Sequence, residues 1–99
     1  MSYAIEYSIE ARADIQRVIG FLAERDEGAA RRAIKAIRDA ATILEQFPFS
    51  CRKADGDDPF LRELVISFGN AGYVMLFKIM EDNLVIVLAI RHQLEEDYE

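Results

Sequence analysis

Almost everything needed for a disulfide or a metal site is missing from this chain. Its single cysteine, Cys51, has no partner for an internal bridge, so nothing points to an oxidising compartment. Its single histidine, His92, stands 41 positions away, and one of each falls far short of a zinc ligand set. Long apolar runs are missing too. The longest, Leu84 to Ile90, has seven residues, which suits a strand and not a membrane span. The opening Met1-Ser2-Tyr3-Ala4 has no basic segment followed by an apolar run, so no secretory signal is expected. The expectation is a cytoplasmic protein with no metal, no cofactor and no membrane contact. Positive charge is also scarce. Twelve Lys and Arg face 18 Asp and Glu, a net charge of −6. Sequence-independent nucleic-acid binding depends on cations that neutralise phosphates, so the total argues against it and leaves only a local basic patch to support it.

What is present reads as one globular domain spanning residues 1–99. Hydrophobic residues make up 52% of the chain and charged ones 30%, well away from the disordered class. A domain of this size buries only a little over half of its unfolded surface, so a partner that binds the folded form matters to its stability. Tyr3 to Tyr7 alternate and carry aromatic and β-branched types, which predicts a short strand. Ser8 is placed to cap a helix running to Arg25, with Ile15, Val18, Ile19 and Leu22 as its buried stripe. Asp26-Glu27-Gly28 breaks the pattern. A second helix, from about Ala29 to Phe47, has the stripe Ile34, Ile37, Ala41 and Leu44 and stops at Pro48.

A polar loop then leads to three strand candidates, Phe60–Phe68, Tyr73–Met80 and Leu84–Ile90, joined by Gly69-Asn70-Ala71-Gly72 and Glu81-Asp82-Asn83. The predicted fold class is α+β in the order β-α-α-β-β-β. It has an N-terminal strand, an α-helical hairpin and a three-stranded antiparallel meander, in a sheet expected to be antiparallel throughout. Tyr73, Met75, Phe77 and Ile79 line one face of the fifth element, and Val74, Leu76 and Met80 the other. Two helices can cover only one face. The other is an apolar patch suited to a partner chain.

Candidate polar chemistry is sparse. Arg31, Lys35 and Arg38 share one face of the second helix, either as a solvated row or as a docking strip for an acidic partner. Arg62, between apolar neighbours near a strand start, either spreads over the core edge or holds a phosphate or carboxylate. Arg91-His92-Gln93 ends the most apolar strand, and His92 is the one side chain whose ordinary pKa lies near neutrality. RNA cleavage by a 2′-hydroxyl would need a base, an acid and cations, for which Arg62, His92, Tyr98 and Lys53 are the nominal set. Asp55, Asp57 and Asp58 share the loop of Lys53 and would repel a phosphate backbone.

The strand opening, Leu44-Glu45-Gln46-Phe47-Pro48, Leu61-Arg62-Glu63-Leu64, Gly72-Tyr73-Val74-Met75-Leu76-Phe77 and Ala89-Ile90-Arg91-His92-Gln93 together resemble the RelE/ParE superfamily of bacterial toxins. The resemblance covers nearly the whole chain. It implies a type II toxin–antitoxin module in which an antitoxin wraps the toxin with its C-terminal segment. It also implies one of two activities: ribosome-dependent mRNA cleavage in RelE-like members, or inhibition of DNA gyrase without a catalytic site in ParE-like members. The Arg91-His92-Gln93 ending resembles the ParE-like branch, and Leu94 stands where both branches often carry a basic residue. The expectation is therefore a ParE-like, non-enzymatic toxin of the plasmid-stabilisation kind. Its candidate antitoxin contacts are Arg31, Lys35, Arg38, Tyr73, Met75 and Phe77, and its candidate target contacts are Arg62, Arg91 and His92. A ribosome-dependent nuclease and a non-toxic binding partner are the alternatives.

Overall fold

The computed structural model describes residues 2–54, 56–68 and 71–92. The chain opens with strand β1, Ala4–Tyr7, and turns directly into helix α1, Ile9–Arg25. Ser8 makes that turn. Its side chain accepts a hydrogen bond from Ala11 N at 3.0 Å, which satisfies one of the amides left open by a helix start. Asp26 then serves two helices at once. Its amide donates to Leu22 O at 2.7 Å, closing α1, and its carboxylate accepts from Gly28 N at 2.9 Å, opening α2, Glu27–Gln46. A single residue thus joins the two helices. Phe47 N closes α2 on Ile43 O, and Pro48 begins a 3₁₀ turn, Pro48–Ser50.

Four more strands follow: β2 Arg52–Lys53, β3 Leu61–Phe68, β4 Ala71–Met80 and β5 Leu84–His92. They form one sheet in the order β1-β5-β4-β3-β2. The meander β3-β4-β5 is antiparallel, as expected. The sheet as a whole is mixed, because β1 pairs with β5 in parallel, Ile5 opposite Val85 and Tyr7 opposite Val87. The helical hairpin forces this. It carries the chain across one face of the sheet to the far edge, and the meander walks back until its last strand runs alongside the first. At the β4–β5 turn, Asp82 and Asn83 take φ of 62° and 57°, the left-handed region that Asp and Asn tolerate best.

The core lies between the helices and one sheet face. Leu44, Met75, Phe77, Val85, Val87 and Ile90 are fully buried there, with Ala11, Val18 and Ala40 facing them from the helices. The buried side of α2 is Ala30, Ala33, Ala40 and Leu44, and Ile34 stands 37% exposed at its flank. Leu44 of the expected stripe is buried and Ile37 packs against the core, while the stripe turns from Ile34 towards Ala30, Ala33 and Ala40. Periodicity favours the large residue at 34, whereas close approach of α2 to its neighbours favours the alanines.

Strand β5 holds the one irregularity in the ladder among the described residues. Leu76 faces Ala89 but Phe77 faces Val87, so Leu88 is an extra residue on β5. Buried positions accordingly shift from Val85 and Val87 to Ile90. The helix side secures the displaced backbone: Ser8 Oγ donates to Leu88 O at 3.2 Å, and Asp14 Oδ2 accepts from Ile90 N at 3.0 Å.

Candidate functional site

The bulge decides what the end of β5 presents. Beyond it His92 pairs with Tyr73 and Arg91 with Val74, so the two neighbours fall on opposite faces of the sheet. His92 stands on the helix side. Its ring meets that of Tyr73 edge-on at 5.3 Å, above a cleft of about 380 Å³ lined by these two with Arg17, Val18 and Phe21. The Arg25 guanidinium covers the Phe21 ring at 3.8 Å, so this cleft is aromatic and cationic. Arg91 is exposed on the open side. Gln93 and Tyr98 lie outside the described residues, as does Leu94.

Arg62 sits opposite Phe77 on the helix-facing side of β3, at the end where α2 has already stopped. Its guanidinium lies under the loop between α2 and β3. Nε donates to Pro59 O at 2.7 Å, and Nη1 donates to Cys51 O at 2.9 Å and Phe49 O at 3.1 Å. The Phe49 ring lies 5.3 Å from the guanidinium carbon. A bidentate grip on phosphate needs two adjacent donors, and only Nη2 is left unused among the described residues. Arg62 is thus a clip for the loop carbonyls. The rows of Arg62 and His92 are separated by the four steps from Phe77 to Tyr73, about 13 Å along the strands. Lys53 stands exposed beside Arg62 at the β2 edge. The nominal nuclease residues that are described do not converge, and the expected target set of Arg62, Arg91 and His92 is split between faces and ends.

The expected antitoxin contacts divide in the same way. Arg31, Lys35 and Arg38 lie on the exposed side of α2. Two of them face an acid one turn away, Arg31 to Glu27 at 3.7 Å and Lys35 to Asp39 at 2.8 Å. Met75 and Phe77 are fully buried under the helices, so they cannot meet a partner while the helices stay in place, and Tyr73 reaches the surface only at the cleft it shares with His92. That part of the expectation is corrected by the strand parity. The open face is the opposite one, where Leu61, Val65, Leu76, Leu84 and Ile86 are half-buried and Met80 is exposed. Charge on it comes from the pairs Arg52–Glu63 at 2.6 Å and Lys78–Asp58 at 3.4 Å and from the exposed Glu6 and Arg91.

Two groups were missed by sequence reasoning. Asp14 reads as a solvated helix residue, and Ser8 was expected only to cap α1; in the structure both hold the β5 bulge. The helical period places Asp14 off the apolar stripe, and nothing local reveals a partner 76 residues away. Burial pushes the Cys51 thiol above its ordinary pKa, against smaller opposing effects of Ser50 and Arg62. Among the described residues no group of His, Cys, Asp and Glu is placed to hold a metal ion, and no helix is long and apolar enough to cross a membrane.

Such a molecule is a small mixed-sheet α+β domain in which, among the described residues, the helices cover one sheet face. The family model of the ParE toxin of the type II toxin–antitoxin system parDE matches residues 5–97. Toxin RelE3 of Caulobacter vibrioides is 35% identical over 92 residues, covering 93% of this chain and 96% of that protein. Toxin RelE1 of the same organism is 32% identical over 96 residues, covering 97% and 99%. Among solved structures, the chromosomal ParDE system from P. aeruginosa matches with a TM-score of 0.69 at 15% identity, over 92% of this chain and 96% of that one. A double arginine-to-alanine mutant of E. coli toxin RelE in the free state matches with 0.55 at 11%, over 99% and 92%. These two likenesses bear on the fold alone. The chain belongs to the RelE/ParE superfamily and is a toxin of a type II toxin–antitoxin system. Membership implies a cognate antitoxin as partner.

Proposed function

We propose that this toxin is ParE-like: it inhibits DNA gyrase by binding, performs no catalytic step of its own, and is neutralised when the C-terminal segment of its antitoxin wraps it. The observation that carries the reading is Arg62. Its Nε and Nη1 are held by three loop carbonyls, and His92 stands four residue rows away, so the cation and the proton carrier that RNA cleavage requires do not meet. The match of the ParE family model to residues 5–97 supports the same branch, as does the net charge of −6. Purified toxin without antitoxin, added to a gyrase supercoiling reaction, is expected to lower the rate of supercoiling. Undiminished supercoiling at a large molar excess of toxin would rule the reading out.

One observation favours a second reading. The relatives at 35% and 32% identity are called RelE toxins, a name that goes with ribosome-dependent mRNA cleavage. On that reading Arg62 offers a phosphate its remaining Nη2, and Lys53, His92 and Tyr98 supply further charge and proton transfer. Mapping of transcript 5′ ends after induction separates the two. New cleavage sites within coding regions support the nuclease; growth arrest without them supports the gyrase inhibitor. Induction that leaves growth unharmed would support neither and would mark a non-toxic binding partner.

A further inference from the structure

Two exposed aromatic residues lie together at one end of the sheet, away from the His92 cleft. Phe49 and Phe60 are 47% and 46% exposed and meet edge-on with ring centroids 6.1 Å apart. With Tyr3, Met80 and Leu84 they line a groove of about 610 Å³ at the β4–β5 turn. A groove this size accepts one or two large apolar side chains. None of the five is needed to complete the core cluster except Tyr3, which packs against its edge.

The surroundings of the groove are acidic. Glu81 and Asp82 line it from the turn, and Asp57 is exposed on the loop that carries Phe60. Lys78, the one cation lining it, faces Asp58 at 3.4 Å. Asp58 also accepts from Phe60 N at 2.9 Å; that backbone bond first, and Lys78 after it, hold its carboxyl below the ordinary range. Tyr3 is tied to the end of α2, since its amide donates to Glu45 O at 2.8 Å.

We infer that this groove is a docking site for an extended segment of a partner protein, one with a large aliphatic or aromatic anchor flanked by Lys or Arg. The apolar floor seats the anchor, while Glu81 and Asp82 hold the flanking cations. Anionic partners, whether an acidic segment, a nucleic acid or an anionic membrane, meet repulsion at the same rim. Lys78, Met80 and Leu84 belong to the open face as well, so the groove continues that face at the β4–β5 turn, beyond Val65, Leu76 and Ile86. It does not depend on whether gyrase is the target.

The test uses the full chain, isotope-labelled, titrated with a capped synthetic peptide in which Leu-Phe is flanked by lysines. A second peptide has glutamates in place of the lysines. Amide shifts are expected at Tyr3, Phe60, Met80 and Leu84 with the lysine peptide, and at least about tenfold weaker binding with the glutamate peptide. Phe60→Ser with Met80→Ser, both at exposed positions, is expected to weaken the lysine peptide by about tenfold or more. Glu81→Lys with Asp82→Asn, which keeps at 82 a residue that tolerates the left-handed backbone, is expected to narrow or invert the preference between peptides. Equal binding of the two peptides would overturn the proposal. So would shifts confined to Val65, Leu76 and Ile86, or wild-type affinity in both variants.

Discussion

Arg62 has five N–H donors, and three of the hydrogens on Nε and Nη1 are directed at carbonyls of Pro59, Cys51 and Phe49. No other side chain described here ties the loop after α2 to the sheet by as many bonds. Arg62→Ala is therefore expected to lower unfolding stability by about 2 kcal/mol, seen as a lower midpoint in urea. Arg62→Lys should recover less than half of that, because one ammonium cannot span the fork of a guanidinium. A residue held mainly for phosphate binding would show the opposite, with activity lost and stability unchanged. Titration supplies a second check at this scale. Burial raises the pKa of Cys51 from 9.0, and burial with the nearby Glu45 charge raises that of Tyr7 from 10.0. Both groups are uncharged when protonated, and the unfolded chain gives up their protons first. The stability they protect is whole below pH 9.0 and is lost as pH rises through the folded-state values. Alkaline unfolding of the wild type should therefore begin above pH 9.0, and Cys51→Ala with Tyr7→Phe should flatten that limb of the pH profile.

Elements show where the sequence was legible and where it was not. The helical hairpin was legible because Ser8, Asp26 and Pro48 are strong punctuation, and each caps or breaks a helix where its chemistry says it should. The meander was legible because its strands are long, apolar and separated by turn residues. The parallel pairing of β1 was not, since four residues of strand carry no mark of their partner's direction. Nor was the bulge. Leu84-Val85-Ile86-Val87-Leu88-Ala89-Ile90 is apolar at every position, so alternation cannot reveal that the inward set changes parity at Leu88. The consequence falls on the candidate site, because parity alone decides whether Arg91 or His92 faces α1. Deletion of Leu88 is expected to straighten the ladder and leave His92 opposite Tyr73, because Ala89 to His92 already pair in step with Leu76 to Tyr73. The measurement is the set of nuclear Overhauser contacts from the His92 ring, which should reach Tyr73 and Val18 in the deletion as in the wild type. Asp14→Leu removes the acceptor of Ile90 N and should cost about 1–3 kcal/mol at the same place. The rotated stripe of α2 has a parallel consequence. Ala33→Leu, at a site 2% exposed, should destabilise by about 1–3 kcal/mol through overpacking, whereas Ile34→Ala at its 37% exposed flank should cost far less.

At the scale of the whole molecule, a helical hairpin of 17 and 20 residues covers one face of a five-stranded sheet and leaves the other without a described cover. The sequence showed that both faces are apolar, and hence that a partner was needed, but not which face would be left. Tyr73, Met75 and Phe77 were as good a guess as Leu76 until parity assigned them. An antitoxin segment that wraps the toxin has the open face as its largest apolar surface, with Val65, Leu76 and Ile86 at its middle. Those three touch no helix, so charging them alters binding more than folding. Leu76→Lys with Ile86→Lys should leave the thermal midpoint within a few degrees of the wild type. The same pair should weaken antitoxin binding at least about tenfold in calorimetry, since desolvated apolar anchors near the centre of an interface dominate its energy. The reference is Arg31→Glu with Lys35→Glu on α2, where both cations already face acids across one turn. Exposed ion pairs contribute little, so that variant should lose markedly less affinity and show its effect chiefly at low salt. If the α2 pair proved the more damaging of the two, the antitoxin would run along the helices, and the open sheet face would be left for the target.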